Sequence, residues 1–222
     1  MLISLHLPKT AGSSFGASLQ EHFGDRFIPK YEASKKTMLN KKVQLLANSF
    51  RNTVAPPHKS SCLHGHFQPV KYRFCRGATF VTWLRDPVEM LASHYFYWIR
   101  TYDPETASPL RRRVVEEQWS LERFCLGPEM QNTHNRYLWG FPVKKFSFIG
   151  ITEFYSQDFA YFCQFILGEK LELKKRNINE SKEEGAYIKD PSLRMKIKTY
   201  HRKDVELYEY ALKMRGKRLR DA

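Results

Sequence analysis

Near the start of the chain, the run His6-Leu7-Pro8-Lys9-Thr10-Ala11-Gly12-Ser13-Ser14-Phe15 sets a lysine, a glycine and three hydroxyls between an apolar stretch and helix-like sequence. A strand that feeds such a loop ends at a helix N-terminus, where free backbone N–H groups and the positive end of the helix dipole favour an anion. Lys9 adds a mobile cation, and Thr10, Ser13 and Ser14 add hydroxyl donors. Gly12 lets the backbone approach a bound group closely. The design suits a phosphate or a sulfate. It is not a Walker A loop, because the lysine precedes the glycine and the GxxxxGK[ST] order is absent. The plainer alternative is an ordinary helix start capped by serine or threonine.

Two further stretches carry chemistry. In FVTWLRDPVEMLASHY, Arg85 stands where a buried strand ends and Ser93 lies two turns along the next helix. An arginine fork with a hydroxyl makes a second phosphate site; alternatively Arg85 is a structural tie to Asp86 or another carboxylate. In Leu63-His64-Gly65-His66-Phe67, two histidines flank a glycine. No carboxylate or cysteine ligand is adjacent in sequence, so no metal site is expected. A histidine near its ordinary pKa is the natural base for taking a proton from an alcohol, and a purely structural pair is the alternative. The aromatic run His94-Tyr95-Phe96-Tyr97-Trp98, with Arg100 and the triplet Arg111-Arg112-Arg113 beyond it, could line a sugar or acidic-glycan groove or form the core face of a helix.

These residues need a frame to hold them. Residues 2–7 and Ala78 to Leu84 read as buried strands, with short strands at Cys62-Leu63 and Phe146 to Ile151. Helices are expected over Ser13 to His22, 35–52, 87–99, 111–126, Ser156 to Leu167 and 191–215. Val54-Ala55-Pro56-Pro57 breaks the second of these. Asp86-Pro87 is a good helix start, and 170–190 reads as an exposed polar loop. Alternation of strands and helices predicts an α/β fold: a single P-loop-like domain over residues 1–222, with a central parallel sheet flanked by helices and ligands at the strands' carboxyl ends.

Composition narrows the partners. The 222 residues carry a formal net charge of +14, which favours anionic ligands. The four cysteines are scattered without a C-x-x-C pair, so neither a zinc site nor a disulfide framework is expected. No stretch is long and apolar enough to span a bilayer. A basic nucleic-acid-binding protein is a rival reading, suggested by the charge and by Lys213 to Arg220; a solvated helix end is the plainer account of that tail. A nucleoside or small-molecule kinase is a second rival, lacking its Walker A loop.

The motifs together resemble the sulfotransferases that use 3′-phosphoadenosine 5′-phosphosulfate (PAPS), closest to the carbohydrate branch that includes heparan sulfate and uronyl 2-O-sulfotransferases. Pro8 to Ser14 look like that family's 5′-phosphosulfate loop, and Arg85 with Ser93 like its 3′-phosphate element. The resemblance implies O-sulfuryl transfer to a hydroxyl on a carbohydrate or small alcohol, with adenosine 3′,5′-bisphosphate as product and no metal. It implies a catalytic base at His66, with His64 second, and Lys9 stabilising the leaving oxygen. Arg111, Arg112 and Arg113 are similar to a basic acceptor segment. Arg176, Asn177, Ile178 and Asn179 fall where the family has a polar loop over the nucleotide, and Gly150-Ile151-Thr152-Glu153 resembles a strand of the same group. The sequence departs from the Golgi members in lacking a stem, an anchor and a luminal disulfide pattern, and its 30–60 region is short. A soluble cytoplasmic enzyme is therefore expected, with no obligatory nucleic-acid partner.

Overall fold

Leu2–Leu5 form β1, and all four residues are buried, as befits a strand covered on both faces. The computed structural model describes residues 1–31, 46–49, 61–174 and 185–221. The chain continues through α1 (Gly12–Phe23), β2 (Phe27–Pro29), β3 (Cys62–Gly65) and β4 (Thr79–Leu84). Next come α2 (Pro87–Arg100), α3 (Pro109–Glu116), α4 (Leu121–Cys125) and α5 (Thr133–Tyr137). Then follow β5 (Phe146–Ile151), α6 (Tyr155–Tyr161) running into a π turn (Phe162–Leu167), α7 (Pro191–Tyr200) and α8 (Arg202–Arg220).

Among the described residues, five strands make one sheet in the order β2-β3-β1-β4-β5, every pairing parallel. This is the α/β architecture expected. Because β1 sits in the middle, the chain after β1 runs to one side and returns to the other. That reversal is the point where open parallel sheets bind ligands, beyond the carboxyl ends of the strands.

Side chains alternate across the sheet as the pleat requires. Phe80 and Leu84 of β4 pack on one face with Ile3, Leu5 and, from α8, Leu207 and Ala211. Val81 and Trp83 pack on the other with Phe15 and Leu19 of α1 and Phe159 and Phe162. A third cluster joins α2, α4 and α7 through Met90, Leu91, Phe124 and Ile197.

Several expectations change. A single helix over 111–126 is two short ones, because Gln118 takes φ +49° and Ser120 then caps a new start through Arg123 N–H. The closing region also divides, at His201, into α7 and α8. The tail is a solvated helix end only in part: Lys213, Lys217 and Arg220 are exposed, but Arg215 Nε and Arg218 Nη2 lie 2.8 and 2.7 Å from the two oxygens of the fully buried Asp158. Strand β2 was not expected, and His64 falls inside β3. The helix over 35–52 lies largely outside the described residues, of which 46–49 are helical. All four cysteines are free and buried. Among the described residues, no helix is long and apolar enough to cross a membrane.

Candidate functional site

Four strand ends converge on one place. β1 leads to His6 and the loop Leu7 to Ala11, β3 to His66, β4 to Arg85 and β5 to Thr152. Their residues line a cavity of about 750 Å³, a size suited to a small-molecule ligand.

The floor is the loop into α1. The N-cap of α1 is Ala11, whose side chain can cap nothing, so the serine-or-threonine cap does not occur here. Lys9 and Ala11 both adopt φ +60°, a left-handed conformation that costs a non-glycine residue about 1–2 kcal/mol. Such turns gather backbone N–H groups into an anion-binding concavity. The Thr10 hydroxyl donates to Leu7 O at 2.9 Å and is buried, so this side chain braces the loop instead of offering a donor to a ligand. Ser13 is exposed, and it lines the cavity together with Ser14. The loop is also held from outside. Asp204 of α8 accepts from the His134 and Asn135 backbone N–H groups at 3.1 and 2.7 Å, capping α5. His134 Nε2 then donates to Pro8 O at 3.2 Å.

The missing side chain of Gly12 also serves the packing beneath the loop. A Cβ there would fall 1.8 Å from Cδ2 of His6, so the position leaves room for an imidazole. Gly65, between the two histidines, has φ +150°, and a Cβ on it would lie 2.1 Å from Lys30 O.

Positive charge dominates the lining. Lys9, Arg85, Arg100 and Lys174 contribute to it, and no carboxylate does among the described residues. Lys9 Nζ lies 3.9 Å from the centre of the Tyr97 ring. Burial lowers the Lys9 pKa to about 8, helped by Arg85 and Arg100. Arg85 Nη1 donates to Lys9 O at 3.5 Å, and its Nε is a loose 3.9 Å from Glu153. Asp86 does not tie it down: that carboxylate caps α2, accepting from Val88 and Glu89 N–H. Ser93, largely buried, faces the same cavity.

The histidines divide sharply. His64 is buried, its Nδ1 is 2.9 Å from Ser4 Oγ, and it does not line the cavity. Burial first, then the neighbouring His66, lowers its pKa to about 4. Those facts remove it as a candidate base. His66 does line the cavity, and its Nδ1 is 2.5 Å from His6 O. A carbonyl only accepts, so Nδ1 carries the proton and Nε2 of the neutral ring keeps its lone pair. Burial lowers the His66 pKa, which keeps the ring neutral.

The arginine triplet is not at the cavity. Arg111 donates from Nε and Nη2 to Trp98 O at 3.2 and 2.9 Å, and from Nη2 to Thr101 Oγ1 at 2.7 Å. It therefore closes the C-terminus of α2. Arg112 reaches Ala107 O, and Arg113 pairs with Glu117 and Glu129. Arg176, Asn177, Ile178 and Asn179 lie outside the described residues. The flanks of that stretch are not plain exposed loop, since Leu173, Lys174 and Tyr187 line the cavity and Ile188 is buried.

Other lining residues carry no individual role in the sequence reading, among them His6, Tyr137, Thr152, Tyr155 and Ser156. His6 belonged to the first motif, and Thr152 to the GITE stretch; the others came with no local signal. From the aromatic run, His94, Tyr97 and Trp98 line the cavity, while Tyr95 packs on Phe124 and donates to Trp119 O. Among the described residues, no group of three or more His, Cys, Asp and Glu is arranged to hold a metal ion.

No family model matches the chain, and no curated protein matches it. Among solved structures, it is similar to a sulfotransferase from Alicyclobacillus acidocaldarius at 17% identity, over 92% of each chain, with a TM-score of 0.46. An uncharacterized protein from Eubacterium ventriosum ATCC 27560 is similar at 12% identity, over 73% of this chain and 97% of that one, with a TM-score of 0.37. Likenesses at these levels carry no function, which rests on the cavity itself.

Proposed function

We propose that this chain moves a sulfuryl group from PAPS to an acceptor hydroxyl. The supporting observation is the lining of one cavity: among the described residues, four cations and no carboxylate, with a helix start without a side-chain cap and a histidine whose Nε2 keeps its lone pair. The residues present fit a ligand with two separated anionic groups. The first-turn N–H groups of α1, with Lys9 and Ser13, take the 5′-phosphosulfate, and Arg85 with Ser93 takes the 3′-phosphate. Thr10 is left out of that set.

His66 Nε2 accepts the proton of the acceptor hydroxyl as the oxygen bonds to sulfur. The bond from sulfur to the bridging phosphate oxygen breaks, and the Lys9 ammonium balances the charge left on that oxygen. The products are the sulfate ester and adenosine 3′,5′-bisphosphate, with the proton on His66. His94, Tyr97, Trp98 and Tyr137 line the same cavity, and aromatic side chains suit a carbohydrate or small alcohol with an apolar face.

Thermal shift tests the nucleotide half. Adenosine 3′,5′-bisphosphate should raise the melting temperature more than adenosine 5′-phosphate does, and Arg85→Ala should abolish that difference. Stabilisation by ATP with Mg²⁺ alone would overturn the assignment. With an acceptor found by screening glycans and alcohols against labelled PAPS, His66→Ala should abolish transfer and keep nucleotide binding.

A further inference from the structure

Three imidazoles from two strand ends form a stack beneath the cavity. The His6 and His66 rings are 4.2 Å apart at 25°, and the His6 and His64 rings 5.3 Å apart at 23°. His6 therefore holds His66 twice over, by its ring face and by the carbonyl that takes the Nδ1 proton. The His6 ring is almost fully buried, in the space that Gly12 leaves open.

We propose that His6 is a positioning residue: its ring fixes the plane of His66, so that the carbonyl bond to Nδ1 forms and Nε2 is held as the lone-pair nitrogen. This rests on the reading of His66 as the base. A histidine ring turns freely about its side-chain bonds unless something fixes it, and a flat neutral neighbour does so without supplying charge.

The surroundings agree. Tyr31, after β2, meets His66 edge-on at 5.3 Å and His6 at 6.3 Å, and Tyr137 of α5 is 6.3 Å from His66. His64 comes from β3 and Lys9 from the loop, and among the described residues no carboxylate lines this wall to hold a proton on the stack. Two adjacent imidazolium rings would repel. Burial, then His66, His64 and Lys9, lower the His6 pKa to about 2, so that the central ring stays neutral.

The test is nitrogen NMR of the full chain labelled at histidine, with the His66 signals assigned by their loss in His66→Gln. Wild type should show His66 in the single Nδ1–H form, titrating below the ordinary histidine range. His6→Leu, which fills the space without a flat ring, should give mixed tautomers and a lower midpoint, because the bond to the His6 carbonyl raises the His66 pKa. His6→Phe should restore the wild-type spectrum. Gly12→Ala, whose methyl takes the place of the His6 ring, should reproduce His6→Leu and serves if that variant fails to fold. An unchanged His66 spectrum in His6→Leu or Gly12→Ala, or no rescue by His6→Phe, would overturn the inference. That failure is separable from failure of the base, which would appear as transfer surviving in His66→Ala while the His66 spectrum still depends on His6.

Discussion

At the residue scale, Lys9 combines burial with two cationic neighbours, Arg85 and Arg100, and its pKa of about 8 is the result. Above that pH the free protein loses the ammonium, whereas a bound anion favours it. Adenosine 3′,5′-bisphosphate should therefore bind with uptake of up to about one proton near and above pH 8. Calorimetry in buffers of different ionisation enthalpy reads this directly. Lys9→Arg, charged throughout, should bind without uptake; equal uptake in that variant would place the proton elsewhere. Much at this scale was legible: Lys9, Ser13, Arg85 and Ser93 sit at punctuated strand ends and on the helix that follows. The roles of Thr10 and Gly12 were not. Each depends on a partner, Leu7 O or the His6 ring, whose position only the folded loop defines.

At the element scale, Arg111 links α3 to the end of α2 through three hydrogen bonds. A charged donor on the last carbonyls of a helix also complements its dipole. Arg111→Ala should cost about 2 kcal/mol and lower the melting temperature by about 4–8 °C, with affinity for adenosine 3′,5′-bisphosphate unchanged. Weakened binding at unchanged stability would restore a ligand-facing role. A run of three arginines looks like free charge in sequence because its acceptor, Trp98 O, is a backbone group exposed only by the ending of a helix. For the same reason β2 is not legible in the sequence: Phe27-Ile28-Pro29 is a three-residue edge strand containing proline, and its pairing with β3 is what makes it a strand.

At the scale of the whole molecule, burial lowers the pKa of six described histidines, and that of His6, His94 and His64 among them to about 2, 3 and 4. Unfolded, each titrates near 6.5. Between that value and the folded one, the unfolded chain binds more protons, so stability falls as pH falls. Each group contributes up to about 1.4 kcal/mol per pH unit, fully present above pH 6.5 and lost toward pH 4 and below. Melting temperature should decline steeply over that window. His64→Asn, which keeps a polar atom for Ser4 and cannot titrate, should show a shallower decline; an identical slope would remove His64 from the linkage. The α/β class was readable from alternation alone, because a buried parallel sheet writes continuous apolar runs. The histidine stack was not, since residues 6, 12, 64 and 66 meet only when β1 and β3 pair.

The sheet ends at β5, and an outer strand offers unpaired backbone groups to any other strand it meets. Here Arg218 Nη1 donates to Ile149 O at 2.5 Å, and the same side chain is anchored by Asp158. The last turns of α8 thus act as a guard against intermolecular strand addition. Arg218→Ala, or removal of residues 214–222, should leave a protein that self-associates with rising concentration, seen as growing light scattering and cross-β dye binding at temperatures where the intact chain stays monodisperse.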